Sequence, residues 1–225
     1  MRLITLKTIT SLIPLAILMS TGPEAANTTS ISTFFLDAVR QNNLEKIMHL
    51  IHQDVDVDTR DERGRTALLL AVHENYVDIA EALILSGADV NALDDINDSP
   101  YLYAGAEGRL EILRMTVAAG ADPNSVNRYG GTALIPAAHH GHVETVKYLL
   151  TTDVNIDHVN YLGWTALLEA VILGSGGDAH HSIVDMLLRA GADPNIADNE
   201  GVSALDHARS KGQKSIIQLI EDYID

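Results

Sequence analysis

The hydroxyl residues Thr33, Thr66, Ser99, Thr132, Thr165 and Ser203 are separated by 33 residues four times and then by 38. A fixed period of that length restricts the chain to a row of similar units, each too small to bury its own apolar face and each stabilised by its neighbours. Five residues beyond each hydroxyl stands an alanine, at Ala38, Ala71, Ala104, Ala137, Ala170 and Ala208. Nine residues beyond it stands Asn42, Asn75, Gly108, Gly141, Gly174 or Gly212. Six units follow, near residues 28–60, 61–93, 94–126, 127–159, 160–197 and 198–225.

Each position has a physical reason. The hydroxyl is expected to accept from the free N–H groups at a helix start, and Ser99-Pro100 adds the proline favoured at the first helical position. The alanine lets two helices approach closely. Asn and Gly tolerate the left-handed conformation that ends one helix and turns into the next. A second helix then shows an apolar stripe, Leu44, Ile47, Leu50 and Ile51 in the first unit and Val143, Val146, Leu149 and Leu150 in the fourth. Turn sequences follow at Gly87 to Asn91, Gly120 to Asn124 and Gly191 to Asn195.

These units resemble ankyrin repeats over about residues 28–225, with SPYLYA and TALIPA at the T-P-L-H-x-A position, GHVETVKYLL on a second helix, and GADVN or GADPN in the loops. The resemblance implies an all-α ankyrin-repeat solenoid of about six stacked helix-turn-helix units joined by short loops and β-turns. The units depart from the pattern in two ways. The His of T-P-L-H is replaced by Leu36, Leu69, Leu102, Ile135, Leu168 and Asp206, and Pro136 falls late in a first helical turn, where it is expected to distort the helix.

Composition narrows the partners. Fifteen Lys and Arg stand against 31 Asp and Glu, a formal charge of −16, and such a surface repels phosphate backbones and anionic headgroups. Nucleic acid is therefore not an expected partner. Much of the acid falls in the inter-repeat loops, where Asp suits turn chemistry irrespective of any partner. No cysteine is present, which excludes a disulfide framework and a lipid-accepting Cys.

The amino terminus reads as a secretory signal over residues 1–26, with cleavage expected between 22 and 26: Arg2 and Lys7 precede the apolar run Ile9 to Met19, and small residues follow. That run is shorter than the ~20 helical residues a bilayer requires. The chain is thus expected to be periplasmic, free of the membrane after cleavage, and monomeric, with residues 27–225 forming the repeat domain.

By resemblance to ankyrin arrays, function lies on the loop tips and on the last residues of each first helix, which line a concave groove. Trp164, the only tryptophan, shares two adjacent tips with Arg128, Tyr129, Tyr161 and Leu162, beside His139, His140, Ile172 and Leu173 on the inner helices, and Ile96 marks the tip before them. Trp, Tyr and Arg are enriched at interface hot spots. These ten residues are the candidate contacts for another protein, as an inhibitor of immunity type or as a companion of an exported enzyme. Between Gly174 and His180 the fifth unit carries five extra residues, 175–179, expected to lengthen the turn between its helices.

The alternative reading is a metal or small-ligand protein that uses His139, His140, His142, His180 and His181. A metal centre needs three or four convergent ligands, and the absence of Cys and of an acid at ligand spacing argues for architecture instead. His142 falls on the Gly-His slot of the repeat. No cofactor is expected. Catalysis is not expected either: Gly174 to Gly177 lacks the Lys of a phosphate loop, H-E-x-x-H and G-x-S-x-G are absent, and Glu144 and Glu169 read as isolated, solvated carboxylates.

Overall fold

The computed structural model describes residues 23–224. Most of the expected signal segment, residues 1–26, lies outside them, and the expected cleavage window, 22–26, meets the start of α1 (Pro23–Arg40). Eleven further helices follow: α2 (Leu44–Ile51), α3 (Ala67–His73), α4 (Val77–Leu85), α5 (Pro100–Ala106), α6 (Leu110–Ala118), α7 (Leu134–His139), α8 (Val143–Leu149), α9 (Ala166–Ile172), α10 (Asp178–Arg189), α11 (Ala204–Lys211) and α12 (Lys214–Ile224). Among the described residues there is no multi-residue strand, only the isolated bridges Arg60 to Thr66 and Ala197 to Ser203.

The helices form two rows. Odd-numbered helices pack in succession, α1 on α3, α3 on α5, and so on to α11, and the even-numbered ones form the second row behind them. All six repeat alanines between these rows are fully buried, because the backbones at those points lie too close for a larger side chain. No described helix is long and apolar enough to cross a membrane.

Four of the six hydroxyls cap as their chemistry requires. Thr66, Ser99, Thr165 and Ser203 accept from the N–H three residues on, at 3.1–3.2 Å. Two do not. Thr33 lies inside α1, which begins well before it. At Thr132 the cause is Pro136. In the capped units the residue four beyond the hydroxyl donates its N–H to the hydroxyl residue's carbonyl, as Leu70 does to Thr66 and Glu169 to Thr165. Proline has no N–H to donate. The Thr132 carbonyl is bonded instead by the N–H of Ile135 at 3.2 Å, and the Thr132 hydroxyl is buried without a hydrogen-bond partner among the described residues. The resulting α7 is six residues long and starts on an uncapped Ala133.

The left-handed position behaves as expected at Asn42, Asn75, Gly108, Gly141 and Gly212, all with positive φ. Gly174 differs: positive φ has moved to Gly176. Glycine is required at 174 by close approach, since a Cβ there would meet the Ala170 carbonyl oxygen at 2.0 Å. The extra residues are also not all loop. Asp178 and Ala179 belong to α10 and extend it at its N-terminal end, and α10, which also runs further at its C-terminal end, is twelve residues long against seven for α8.

Loop acids and amides act as staples. Side-chain oxygens of Asp58, Asn91, Asn124 and Asp157 each accept the backbone N–H of a residue in the following unit's loop, Asp89, Asp122, Asn155 and Asp193, at 2.7–3.0 Å. Each hairpin tip is closed in the same way by Asp61, Asp94, Asn127, Asn160 or Asp198. One side-chain oxygen of each accepts the N–H groups two and four residues on.

Candidate partner-binding groove

The tips project along one edge of the odd-numbered helices. Among the tips of the third to fifth units the concave face contains a hollow of about 380 Å³. Its walls come from α5 (Tyr103, Ala106 and, at its end, Glu107), α7 (Ile135, Pro136, His139 and then His140), α9 (Glu169 and then Leu173) and the intervening tips. Six of the ten sequence-predicted contacts line it together: Arg128, Tyr129, His139, His140, Leu162 and Leu173. Tyr129, Leu162 and Leu173 expose large apolar surfaces there.

The other four stand apart from the lining. Tyr161 is 76% exposed and lies over the preceding tip, where a Cβ on Gly130 would come within 2.5 Å of its ring. Its N–H donates to the Tyr129 carbonyl at 2.9 Å, which joins the two tips. Ile96 is exposed on its own tip. Trp164 and Ile172 are half-buried and pack against the hydrophobic core, so Trp164 is chiefly a packing residue of the fifth unit's tip. Its position follows from Asn160, whose side-chain oxygen accepts the Trp164 N–H at 3.0 Å.

Glu169 corrects the sequence reading most sharply. Glu144 is a solvated carboxylate, as expected. Glu169 is only 7% exposed. Its Oε1 accepts from the Asn160 amide at 2.9 Å, and its Oε2 lies 3.8 Å from His139 Nδ1, beyond hydrogen-bonding distance. Burial raises its pKa, opposed in part by the Asn160 hydrogen bond. His139 shifts downward, through burial first and then through His140 and His180. Asp98 is raised by burial, while Arg128, 3.0 Å from it, pulls the other way. Arg128 also stacks over the Tyr129 ring at 4.8 Å.

Sequence reasoning misread Glu169 and did not single out Asn160, Asp98, Glu107 or Tyr103 as site residues. A signal for two of them was present: Asn160 occupies the slot of Asp61, Asp94, Asn127 and Asp198, five residues before the hydroxyl. Glu169 holds the slot four residues after it, where the other units have Asp37, Leu70, Tyr103, Pro136 and His207. In the sixth unit those two slots also meet, with His207 Nε2 2.7 Å from Asp198 Oδ2.

The histidines do not form a coordination site. His180 Nε2 donates to the His139 carbonyl at 2.8 Å and its Nδ1 lies 3.3 Å from Ser175 Oγ, while His140 Nδ1 donates to the Ala106 carbonyl at 2.8 Å. A nitrogen that faces a carbonyl must carry the proton and offers no lone pair to a metal. The His142 ring covers Gly108, where a Cβ would approach it to 2.7 Å. Among the described residues no group of three His, Cys, Asp or Glu side chains is placed to hold a metal ion.

A family model described as ankyrin repeats matches in three copies, over residues 13–94, 35–127 and 101–198. The chain belongs to the ankyrin-repeat family. Two crystal structures match it along most of their length. An ankyrin repeat domain from Acinetobacter baumannii AYE is 53% identical, with a TM-score of 0.82 over 84% of this chain and 96% of that one. The ankyrin repeat protein EF0377 is 44% identical, with a TM-score of 0.83 over 85% of this chain and 98% of its own. The ankyrin repeat protein YahD of Escherichia coli (strain K12) is 40% identical over 52 residues, 23% of this chain, which spans about a quarter (26%) of that curated relative. Ankyrin repeats are a generic protein-interaction scaffold, and the six stacked units here are built on that plan.

Proposed function

We propose that this ankyrin array is exported to a bacterial periplasm and binds a partner protein across the concave face of its third to fifth units. The reading rests on one observation above all: Tyr129, Leu162 and Leu173 present apolar surface around a single hollow, with Tyr161 exposed on the same pair of tips. Apolar and aromatic side chains grouped about a concavity and surrounded by polar tips have the composition of an interface centre. Binding there would either block the partner, as an immunity-type inhibitor does, or shield it as a companion. The basic and apolar pattern of residues 1–26 supports export.

The test is affinity capture from periplasmic extract, comparing the parent with a Tyr161→Ala, Leu162→Ala double variant. Both side chains are exposed, so the variant should keep its helical circular dichroism and melting temperature. A partner held by the parent and lost by the folded variant supports the groove; equal capture by both rejects it. Amino-terminal sequencing of the exported protein tests the signal, with a first residue expected between 23 and 27.

A further inference from the structure

The hollow holds three carboxylates, Asp98, Glu107 and Glu169, against one guanidinium, Arg128. Arg128 is committed to Asp98 at 3.0 Å. Glu107 has no ion pair or side-chain hydrogen bond among the described residues. Glu169 is the most buried charged group of the lining, and its Oε2 accepts no hydrogen bond among the described residues. Oε2 meets the hollow with no donor within hydrogen-bonding distance among the described residues and with His139 Nδ1 at 3.8 Å, so the desolvation cost of a largely buried carboxylate is only partly compensated by protein partners. Such a cost is retained where a ligand supplies the missing donor.

The wall itself shows which donor fits. Arg128 lies between a carboxylate and the face of Tyr129, 4.8 Å from the ring centroid. A planar guanidinium suits that setting better than an ammonium, because it pairs with a carboxylate through a fork of N–H groups, stacks on aromatic faces and is more weakly hydrated. Glu169 shares the hollow with similar elements but no guanidinium of its own: the imidazole of His139, 3.8 Å away, and, elsewhere in the lining, His140, the ring of Tyr103, Ile135 and Leu173.

We propose that this hollow receives an arginine side chain of the partner protein, its guanidinium pairing with Glu169 in a field to which Glu107 adds. The inference rests on the concave face being the partner-binding face, and it specifies what that partner presents: a protruding arginine on a basic surface. The formal charge of −16 on the chain attracts such a surface and disfavours an acidic one.

The probes are three short peptides, acetyl-Gly-Arg-Gly-amide and its citrulline and leucine counterparts, titrated into the ¹⁵N-labelled exported protein and followed by amide chemical shifts. Citrulline keeps the shape of arginine and removes the charge. The expected result is saturable shifts for the arginine peptide at residues 103–107, 139–140 and 169–173, with binding at least tenfold weaker for citrulline. Glu169→Gln should weaken the arginine peptide at least tenfold while its spectrum shows an intact fold, and Glu144→Gln, on the solvated second helix, should leave it unchanged. Equal binding of citrulline, an unaffected Glu169→Gln variant, shifts confined to another surface, or no saturable binding would overturn the proposal. Arginine binding at Glu169 in a protein whose partner capture survives Tyr161→Ala, Leu162→Ala would support the guanidinium site and reject the groove reading. Loss of capture without arginine binding would do the reverse.

Discussion

Glu169 and Pro136 occupy the same slot in adjacent units, and each departs from what the slot favours. Burial raises the Glu169 pKa, so the native state holds this proton more tightly than the unfolded chain does. The contribution of Glu169 is most favourable below the ordinary glutamate pKa and is lost as pH rises through the raised folded value. At neutral pH the carboxylate therefore costs stability. Glu169→Gln keeps an acceptor for the Asn160 amide and should stabilise the protein by about 1 kcal/mol at neutral pH. That gain should vanish below the ordinary glutamate range, where both side chains are neutral, and urea midpoints at the two pH values read the difference. At Pro136 the defect is a missing donor. Pro136→Ala restores an N–H for the Thr132 carbonyl and releases the Ile135 N–H to the buried Thr132 hydroxyl, as Leu69 is released to Thr66. A stabilisation of about 1–2 kcal/mol is expected, after allowing for the greater freedom alanine gives the unfolded chain. An unchanged urea midpoint would show that the 3.2 Å bond from Ile135 already compensates.

Among the elements, the end of α9 differs most from its counterparts. In the other units two backbone bonds close the end of the odd-numbered helix, as Asn75 to Val72 and Tyr76 to Ala71 do for α3. The insertion removes both from the fifth unit, and carbonyls at a helix end require other donors. The sixth unit supplies them: Gln213 Nε2 donates to the Val171 carbonyl, and Lys211 Nζ donates to those of Ile172 and Gly174. Lys211 thus reaches back to a helix C-terminus of the preceding unit, where a cation is also favoured by the dipole. Lys211→Met should cost about 1 kcal/mol and speed amide hydrogen exchange in residues 173–177 well above that in α3. Equal exchange in parent and variant would show that the insertion does not depend on the staple. The contrast marks what was readable beforehand. Helix order, the alanine seam and five of six left-handed turns were legible because each is a local requirement repeated at a fixed interval. Glu169, Lys211 and the helical extension of α10 were not, because each depends on a side chain from another unit or on how the five extra residues divide between loop and helix.

On the scale of the whole molecule, the array has a row of charges as well as a row of helices. Staples such as Asp58 to the Asp89 N–H, and tip closures such as Asp198, use carboxylates as hydrogen-bond acceptors, and the Asp198 pKa is lowered by the Val202 N–H and by His207. These acids strengthen each joint while adding to a formal charge of −16, which repels itself along the whole stack. The same consideration explains why the candidate contacts were only partly legible: apolar residues on the tips stood out in the sequence, whereas the hollow beside them arises from the superposition of three units. The long-range repulsion and the short-range hydrogen bonds respond differently to salt. At an ionic strength of ~0.01 M the screening length is about 30 Å and spans several units, and at ~0.15 M it falls to about 8 Å. Exposed ion pairs such as Arg189 with Asp185 contribute little to be lost, and the backbone staples are too short to be screened. Net repulsion should dominate, so the melting temperature is expected to rise by several degrees between those two salt concentrations. A fall over the same interval would mean that attraction between the scattered Arg and Asp pairs outweighs the repulsion of the excess acid.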